Sequence, residues 1–330
     1  MKALVTGGCG FIGSNLVRTL LEDEWEVDIV DDLSSGDMGL LNGINFRTIP
    51  AQMSHLYSKE KDTRAPELLI IVGDFVHDAI IQRIIEGNYD IVFHAAANPR
   101  VEYSVQNPLQ TTDNNFMKSV KLMTHCIDNI KRFVFSSSSA VYGDVETLPT
   151  PENASLNPKS PYALQKLNTE EYGRLYAQLY NLDFVSLRYF NVYGPGQYGD
   201  SPYATAIAAW CDKAANGDPL RSDGDGTQSR DLIFVEDIAQ ANIEAATYNG
   251  TFKGEAFNIG TGSRITNNEI LDLFREKFLN IKTKTAPWRQ GDVMHTQADV
   301  SAAADIFGFS ARTNIHAGLE KTFEWWGLNE

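Results

Sequence analysis

Three cysteines, Cys9, Cys126 and Cys211, are all that the 330 residues contain. They lie too far apart for a disulfide framework and share no metal-ligand spacing, a usage that fits a reducing compartment. Positive charge is also scarce: 28 Lys and Arg stand against 43 Asp and Glu, a formal net charge of -15. So acidic a chain lacks the basic footprint of a nucleic-acid binder or of a protein that docks on anionic lipid. Any anionic small ligand needs a locally basic pocket. No apolar run reaches the length that spans a bilayer, and the opening MKALVTGGCG enters a strand and a glycine turn at once, which leaves no room for a signal peptide. The six histidines show no ligand spacing, so no metal is expected, and repeats and low-complexity tracts are missing. At 43% hydrophobic and 22% charged, the remainder is an ordinary globular composition. The expectation is a cytoplasmic soluble protein with one large domain and a smaller companion.

What is present is alternation. Short, continuously apolar, β-branched runs (KALVTG, WEVDIVD, LLIIVGD, DIVFHAA, RFVFSSS, DFVSLRY) alternate with helical patterns through the first two thirds. Strands of that kind belong to a parallel sheet covered on both faces, so the fold class is α/β with a doubly wound, Rossmann-type parallel sheet. The polar stretch near 50–66 reads as a surface insertion. Beyond residue 189 the pattern loosens into loops and late helices, a smaller mixed C-terminal domain. We therefore expect a dinucleotide domain over 1–188 with a returning segment near 233–262, and a mostly substrate-binding domain over 189–330.

Two local patterns carry chemistry. In TGGCGFIGSNL, glycines 7, 10 and 13 follow a strand and open a helix. They permit a tight turn and close backbone approach to a pyrophosphate, whose charge the helix N-terminus stabilises. The second strand ends at Asp31, 18 residues beyond Gly13, where a carboxylate accepts from adenosine ribose hydroxyls and repels an added phosphate, which favours NAD over NADP. In SPYALQK, Pro161 suits a first helical turn, and the run to Tyr180 is rich in helix formers, so Tyr162 and Lys166 project from one helix stripe.

With DDLSSG, VGD at 72–74, HAAA at 94–97, SSSSAVYG at 136–143, RYFNVYGP at 188–195, GDGTQSRD at 224–231 and RQGDV at 289–293 in the same order, the chain resembles the extended short-chain dehydrogenase/reductase family. Within it, the similarity is to nucleotide-sugar epimerases and dehydratases. The resemblance implies a cofactor site of Gly7, Gly10, Phe11, Ile12, Gly13, Asp31, Asp74, Phe75, Ala96, Ala97, Asn115, Tyr162, Lys166 and Tyr189, with Phe190 beside the nicotinamide. It makes Tyr162 the base, its phenolate favoured by the positive charge of Lys166 and of an oxidised nicotinamide. A hydroxyl near the VYG segment completes the set; the family register points to Ser138, with Ser136, Ser137 and Ser139 as its neighbours in sequence. For substrate it implies Asn191, Arg230, Arg289 and Asp292, the arginines holding a diphosphate.

Dehydratases of the family carry an Asp-Glu pair directly after the hydroxyl residue; here those positions are Ser139 and Ala140. That departure favours 4-epimerisation of a UDP-sugar through a transient 4-keto sugar. Thr296, seven residues after Arg289, stands where glucose-restricted members place a tyrosine, leaving room for an N-acetyl group. Ser222 and Asp223 replace the apolar and aromatic residues that usually pack on the base, so uracil rests on resemblance alone. Alternatives are a UDP-uronic acid 4-epimerase, a 4,6-dehydratase, or a non-catalytic NAD-binding sensor or scaffold. Helices expected at 112–129 and 162–180 match those that form a four-helix bundle in related homodimers.

Overall fold

The computed structural model describes residues 1–56, 68–145, 147–199, 205–288 and 293–328. The chain divides into two compact units: residues 1–141, 158–188 and 239–257 form the first, and residues 142–157, 189–238 and 258–330 the second. Residues 142–157, expected in the first domain, thus cluster with the second unit.

In the first unit the apolar runs become strands β1 (Lys2–Thr6), β2 (Glu26–Asp31), β3 (Phe46–Pro50), β4 (Leu68–Val72), β5 (Ile91–His94), β6 (Arg132–Ser138) and β7 (Phe184–Tyr189). With the strand Lys253–Ile259 at the far edge, the sheet order is β3-β4-β2-β1-β5-β6-β7 followed by that edge strand. Pairing from β3 through β6 is parallel, as between β1 and β5, where Val5 faces Phe93 and Thr6 faces His94. Both faces of the central strands are buried, which is why their sequences run apolar without alternation. Strand order reverses between β1 and β5, and such a switch point opens a crevice at the strands' carboxyl ends.

Strand β3 falls just before the stretch read as an insertion. It buries no residue fully, so its pattern is that of an exposed edge rather than of a core strand. Residues 51–56 continue as a 3₁₀ turn, and residues 57–67 lie outside the described residues.

Helix α1 (Phe11–Glu22) buries Leu16, Val17 and Leu20, and α2 (Asp78–Ile85) packs Ile80 and Ile84 into a core with Leu4, Val30 and Ile71. Instead of one helix at 112–129, the chain makes α3 (Val101–Gln106), α4 (Pro108–Thr112), a π-helical turn at Asp113–Met117 and α5 (Lys118–Cys126). Helix α6 runs from Pro161 to Tyr180, capped by the Ser160 side chain accepting from the Ala163 N–H at 3.1 Å and ended by Asn181 in the left-handed region. A Cβ at Gly173 would strike the ring of Phe184, so glycine there lets α6 approach β7. At the start of β6, Arg132 chelates Asp183 (2.9 and 2.8 Å) and donates to the carbonyls of Ala245, Ala246, Tyr248 and Gly250. One guanidinium thereby ends the helix Val235–Thr247 and ties the returning segment to β6.

The second unit is built from short strand pairs: Asn191–Tyr193 parallel to Leu232–Phe234, Leu220–Asp223 parallel to Thr283–Ala286, and Ser229–Arg230 antiparallel to Ile265–Thr266. Helices Ala206–Ala215, Asn267–Lys277 and Ile315–Trp325 close over a core that includes Tyr193, Trp210, Phe234, Phe274 and Phe323. Thr266 and Glu269 form a reciprocal capping box at the start of the second of these helices.

Candidate active site

The glycine turn lies at the switch point. Gly7 has φ +72°, and a Cβ there would meet the Ala96 backbone at 2.7 Å, so the ends of β1 and β5 nearly touch. A Cβ at Gly13 would strike the Gly7 carbonyl. Helix α1 has no side-chain cap and no acid in its first turn, leaving its positive end to an external anion. Half-buried Phe11 and Ile12 belong to that turn.

Asp31 ends β2 with its carboxylate accepting from the N–H groups of Cys9 and Leu33, each at 2.9 Å. Burial raises its pKa, and those two N–H bonds oppose the rise. A carboxylate has about four acceptor positions, so two remain for ribose hydroxyls. The glycine cradle, the uncapped helix end and this carboxylate together fit a dinucleotide.

Asp74 pairs with Lys118 at 2.7 Å and accepts from the Val76 N–H. The ring of Phe75 is buried edge-on against His94, so its side chain belongs to the core. Ala96 donates its N–H to the Thr6 hydroxyl, and Ala97 follows on the same half-buried loop. The π-turn turns Asn115 inward: Oδ1 accepts from the Asn98 N–H at 2.7 Å, while Nδ2 donates to the Asn98 carbonyl and to Gln165 Oε1. Asn115 thus clamps the loop after β5 with its whole amide.

At the carboxyl end of β6, Ser138 hydrogen-bonds the Tyr162 phenol. Of the adjacent serines, Ser137 donates to Glu170, two turns beyond Tyr162 on the same helix. Lys166 is buried one turn beyond Tyr162; its Nζ donates to the Ser136 carbonyl at 2.6 Å and lies 5.8 Å from the centre of the Tyr162 ring. Burial pushes the Tyr162 phenol up to about 12, opposed by the Ser138 bond. Burial likewise brings the Lys166 ammonium down to about 7, opposed by the charge of Glu170. Both groups are driven toward their neutral forms, the reverse of what a phenolate base requires.

Sequence reasoning did not single out Gln165, which also donates to Thr111 and Thr112, nor Glu170, nor Arg188. Arg188 carried a signal: a charge inside the apolar run FVSLRY needs a buried partner. His94, assigned no catalytic role, bridges Thr6 and Ser119 at 2.7 Å on each ring nitrogen.

The second unit gathers other candidates. Asn191 Nδ2 donates to the Thr296 hydroxyl at 2.9 Å, and that oxygen also accepts from the Asp231 N–H. Asp231, fully buried, accepts in turn from Thr261, Gly262 and Ala298. Arg230 donates to the carbonyls of Ser229 and Met294. Tyr189 and Phe190 are buried, Phe190 beside Tyr142. Arg289 and Asp292 lie outside the described residues. Ser222 is buried and Asp223 pairs with Arg221, while the half-exposed indole of Trp288 lies over Gly224, 2.8 Å from where a Cβ would stand.

Comparisons with known proteins agree on one family. The model of the NAD dependent epimerase/dehydratase family matches residues 3–260. A UDP-glucose 4-epimerase of Mycolicibacterium smegmatis is 31% identical over 330 residues, 98% of each chain. Among solved structures, a UDP-N-acetylglucosamine 4-epimerase of Methanobrevibacter ruminantium M1 in complex with UDP-N-acetylmuramic acid superposes with a TM-score of 0.87 at 37% identity, covering 99% of this chain and 98% of that one. The UDP-glucose 4-epimerase of Thermotoga maritima with UDP-glucose gives 0.86 at 32%, covering 99% of both. With a glycine turn at the strand switch point and a serine, tyrosine and lysine gathered beside it, this chain belongs to the NAD dependent epimerase/dehydratase family.

Proposed function

We propose that the protein is an NAD-dependent 4-epimerase of UDP-sugars that accepts the UDP-N-acetylglucosamine and UDP-N-acetylgalactosamine pair and, with a smaller sugar, the UDP-glucose and UDP-galactose pair. The observation that carries the reading is the Ser138 hydroxyl bonded to Tyr162, with Lys166 one turn away and no acid at Ser139 or Ala140. Gly7, Gly10, Phe11, Ile12 and Gly13 hold the pyrophosphate, Asp31 the ribose, and Ala96 and Ala97 give backbone approach, while Asn115 holds that loop in place. Bound NAD supplies the hydride acceptor for the sugar C4 and the donor that returns it, so the sugar passes a 4-keto stage without net redox change. Tyr162 takes the proton of the C4 hydroxyl and gives it back, Ser138 holds that oxygen, and Lys166 favours the phenolate. Without an acid after Ser138, nothing there drives loss of water.

Arg230 and Arg289 are assigned to the diphosphate, and Asn191 and Asp292 to the sugar and ribose. Thr296 is small enough for an acetamido group, and the Asn191 and Asp231 donors hold its hydroxyl in one orientation. Trp288 offers the aromatic face that Ser222 and Asp223 lack. We also read the protein as a cytoplasmic homodimer: its cysteines are unpaired, and α4 through α6 expose Leu109, Met117, Leu164, Tyr172, Leu175 and Leu179.

The test is to incubate the protein separately with UDP-glucose and UDP-N-acetylglucosamine, without added reductant, and follow the anomeric protons by NMR. Galacto signals at unchanged mass support the reading, and the faster sugar tests Thr296. If a UDP-uronic acid alone is converted, or water is lost, the sugar assignment is wrong.

A further inference from the structure

Beneath the proposed catalytic group lies a buried ion pair that the chemistry above does not use. Arg188 in β7 meets Glu170 in α6 at 2.7 Å between Nη2 and Oε2, with a second approach of 3.1 Å from Nε to Oε1. Both side chains are almost wholly withdrawn from solvent, at 6% and 4% exposure. A buried pair of this kind repays its desolvation poorly, and well-packed apolar side chains often serve stability as well or better. Its presence therefore calls for a reason other than stability.

The geometry supplies one. Three consecutive residues of β6 are each tied to a different turn of α6: the Ser136 carbonyl to Lys166, the Ser137 hydroxyl to Glu170, and the Ser138 hydroxyl to Tyr162. Ser137 directly precedes Ser138 in the strand, so the bond that holds Ser137 to Glu170 also fixes the backbone that presents Ser138 to the phenol. We propose that Glu170, held by Arg188, is a positioning residue that sets the end of β6 so that Ser138 meets Tyr162 and places a negative charge one helical turn from Lys166. Among the described residues, charged and titratable groups face Lys166 from several elements. Tyr162 and Glu170 flank it on its own helix, and His94, kept neutral by burial, approaches from β5. Arg188 stands behind Glu170 on β7, and β6 presents the Ser136 carbonyl and the Phe135 ring, 4.8 Å from Nζ.

The inference rests on the epimerase reading, and its test uses a variant that leaves no charge stranded: the double substitution Glu170→Met with Arg188→Met. The expected result is an unchanged melting temperature and NAD affinity with kcat lowered about tenfold to a hundredfold and KM little altered. The alkaline limb of the kcat profile should also move to lower pH, because Lys166 has lost its negative neighbour. Ser137→Ala, which breaks only the strand tie, should lower kcat without moving that limb. A double variant with wild-type kcat and limb overturns the proposal, as does one that loses NAD binding and turnover together, since the pair is then merely structural. Wild-type protein that turns over no UDP-sugar sinks the epimerase reading alone. Positioning is then judged on the phenolate absorbance of Tyr162 in NAD-loaded protein, taken as the difference from Tyr162→Phe. It should appear at higher pH in the double variant, and an unshifted phenolate counts against the pair.

Discussion

Burial decides the resting state of the site one side chain at a time. Tyr162 and Lys166 sit near neutrality, so their chemistry depends on partners that restore charge. Tyr162→Phe removes the proton acceptor while keeping the ring; turnover should fall by about 10² to 10⁴ with NAD still bound, measured by NMR conversion and cofactor titration. A sensor protein would show no turnover to lose. His94 gives a prediction of a different kind. Burial, and then the nearby charge of Lys166, depress its pKa to about 3 from an ordinary 6.5. Between those values the unfolded chain binds the extra proton and the folded one does not, so stability is full above about pH 6.5 and is lost as pH falls toward 3. The urea midpoint of the wild type should therefore drop from about pH 7 to about pH 5. In His94→Asn, less stable throughout, the drop should be smaller by an amount worth about 2 kcal/mol.

At the level of elements, the turn between β1 and α1 is too tight for any side chain. Gly13→Ala pushes a methyl into the Gly7 carbonyl and should cost about 1–3 kcal/mol of stability along with most NAD affinity, read by melting temperature with and without cofactor. Such features were legible in sequence because they are local: glycine spacing, apolar runs and the Ser160-Pro161 start of α6 announce themselves within a few residues. The β3 edge was not, because FRTIP buries nothing fully and its only warrant is the neighbouring β4. Nor was the π-turn at Asp113–Met117. An added residue in a helix leaves no mark on composition, and only the Asn98 backbone and Gln165 explain where Asn115 points. The same holds for Glu170 and Arg188: each residue type was visible, but the pairing spans two elements. In the second unit, Asp231 is one letter of a motif until two separate segments, at 261–262 and 298, bring their donors to it.

For the molecule as a whole, the proposed homodimer would cover the exposed apolar stripe of α6. Leu175→Glu with Leu179→Glu should halve the mass found by light scattering at micromolar concentration without lowering the melting temperature of each chain. A wild type already monomeric there would refute the dimer. Two copies of net charge -15 repel, so association should tighten as salt is added. A last consequence follows from Arg132, whose guanidinium waits for carbonyls at 245, 246, 248 and 250. A ribosome delivers the chain in order, and the sheet it has emitted by residue 188 still lacks its edge strand and leaves a buried arginine only partly satisfied. The first unit therefore closes late in synthesis, after most of the second unit's first long segment has already emerged, and a nascent chain stopped at residue 188 should be far more open to protease than one carried past residue 257.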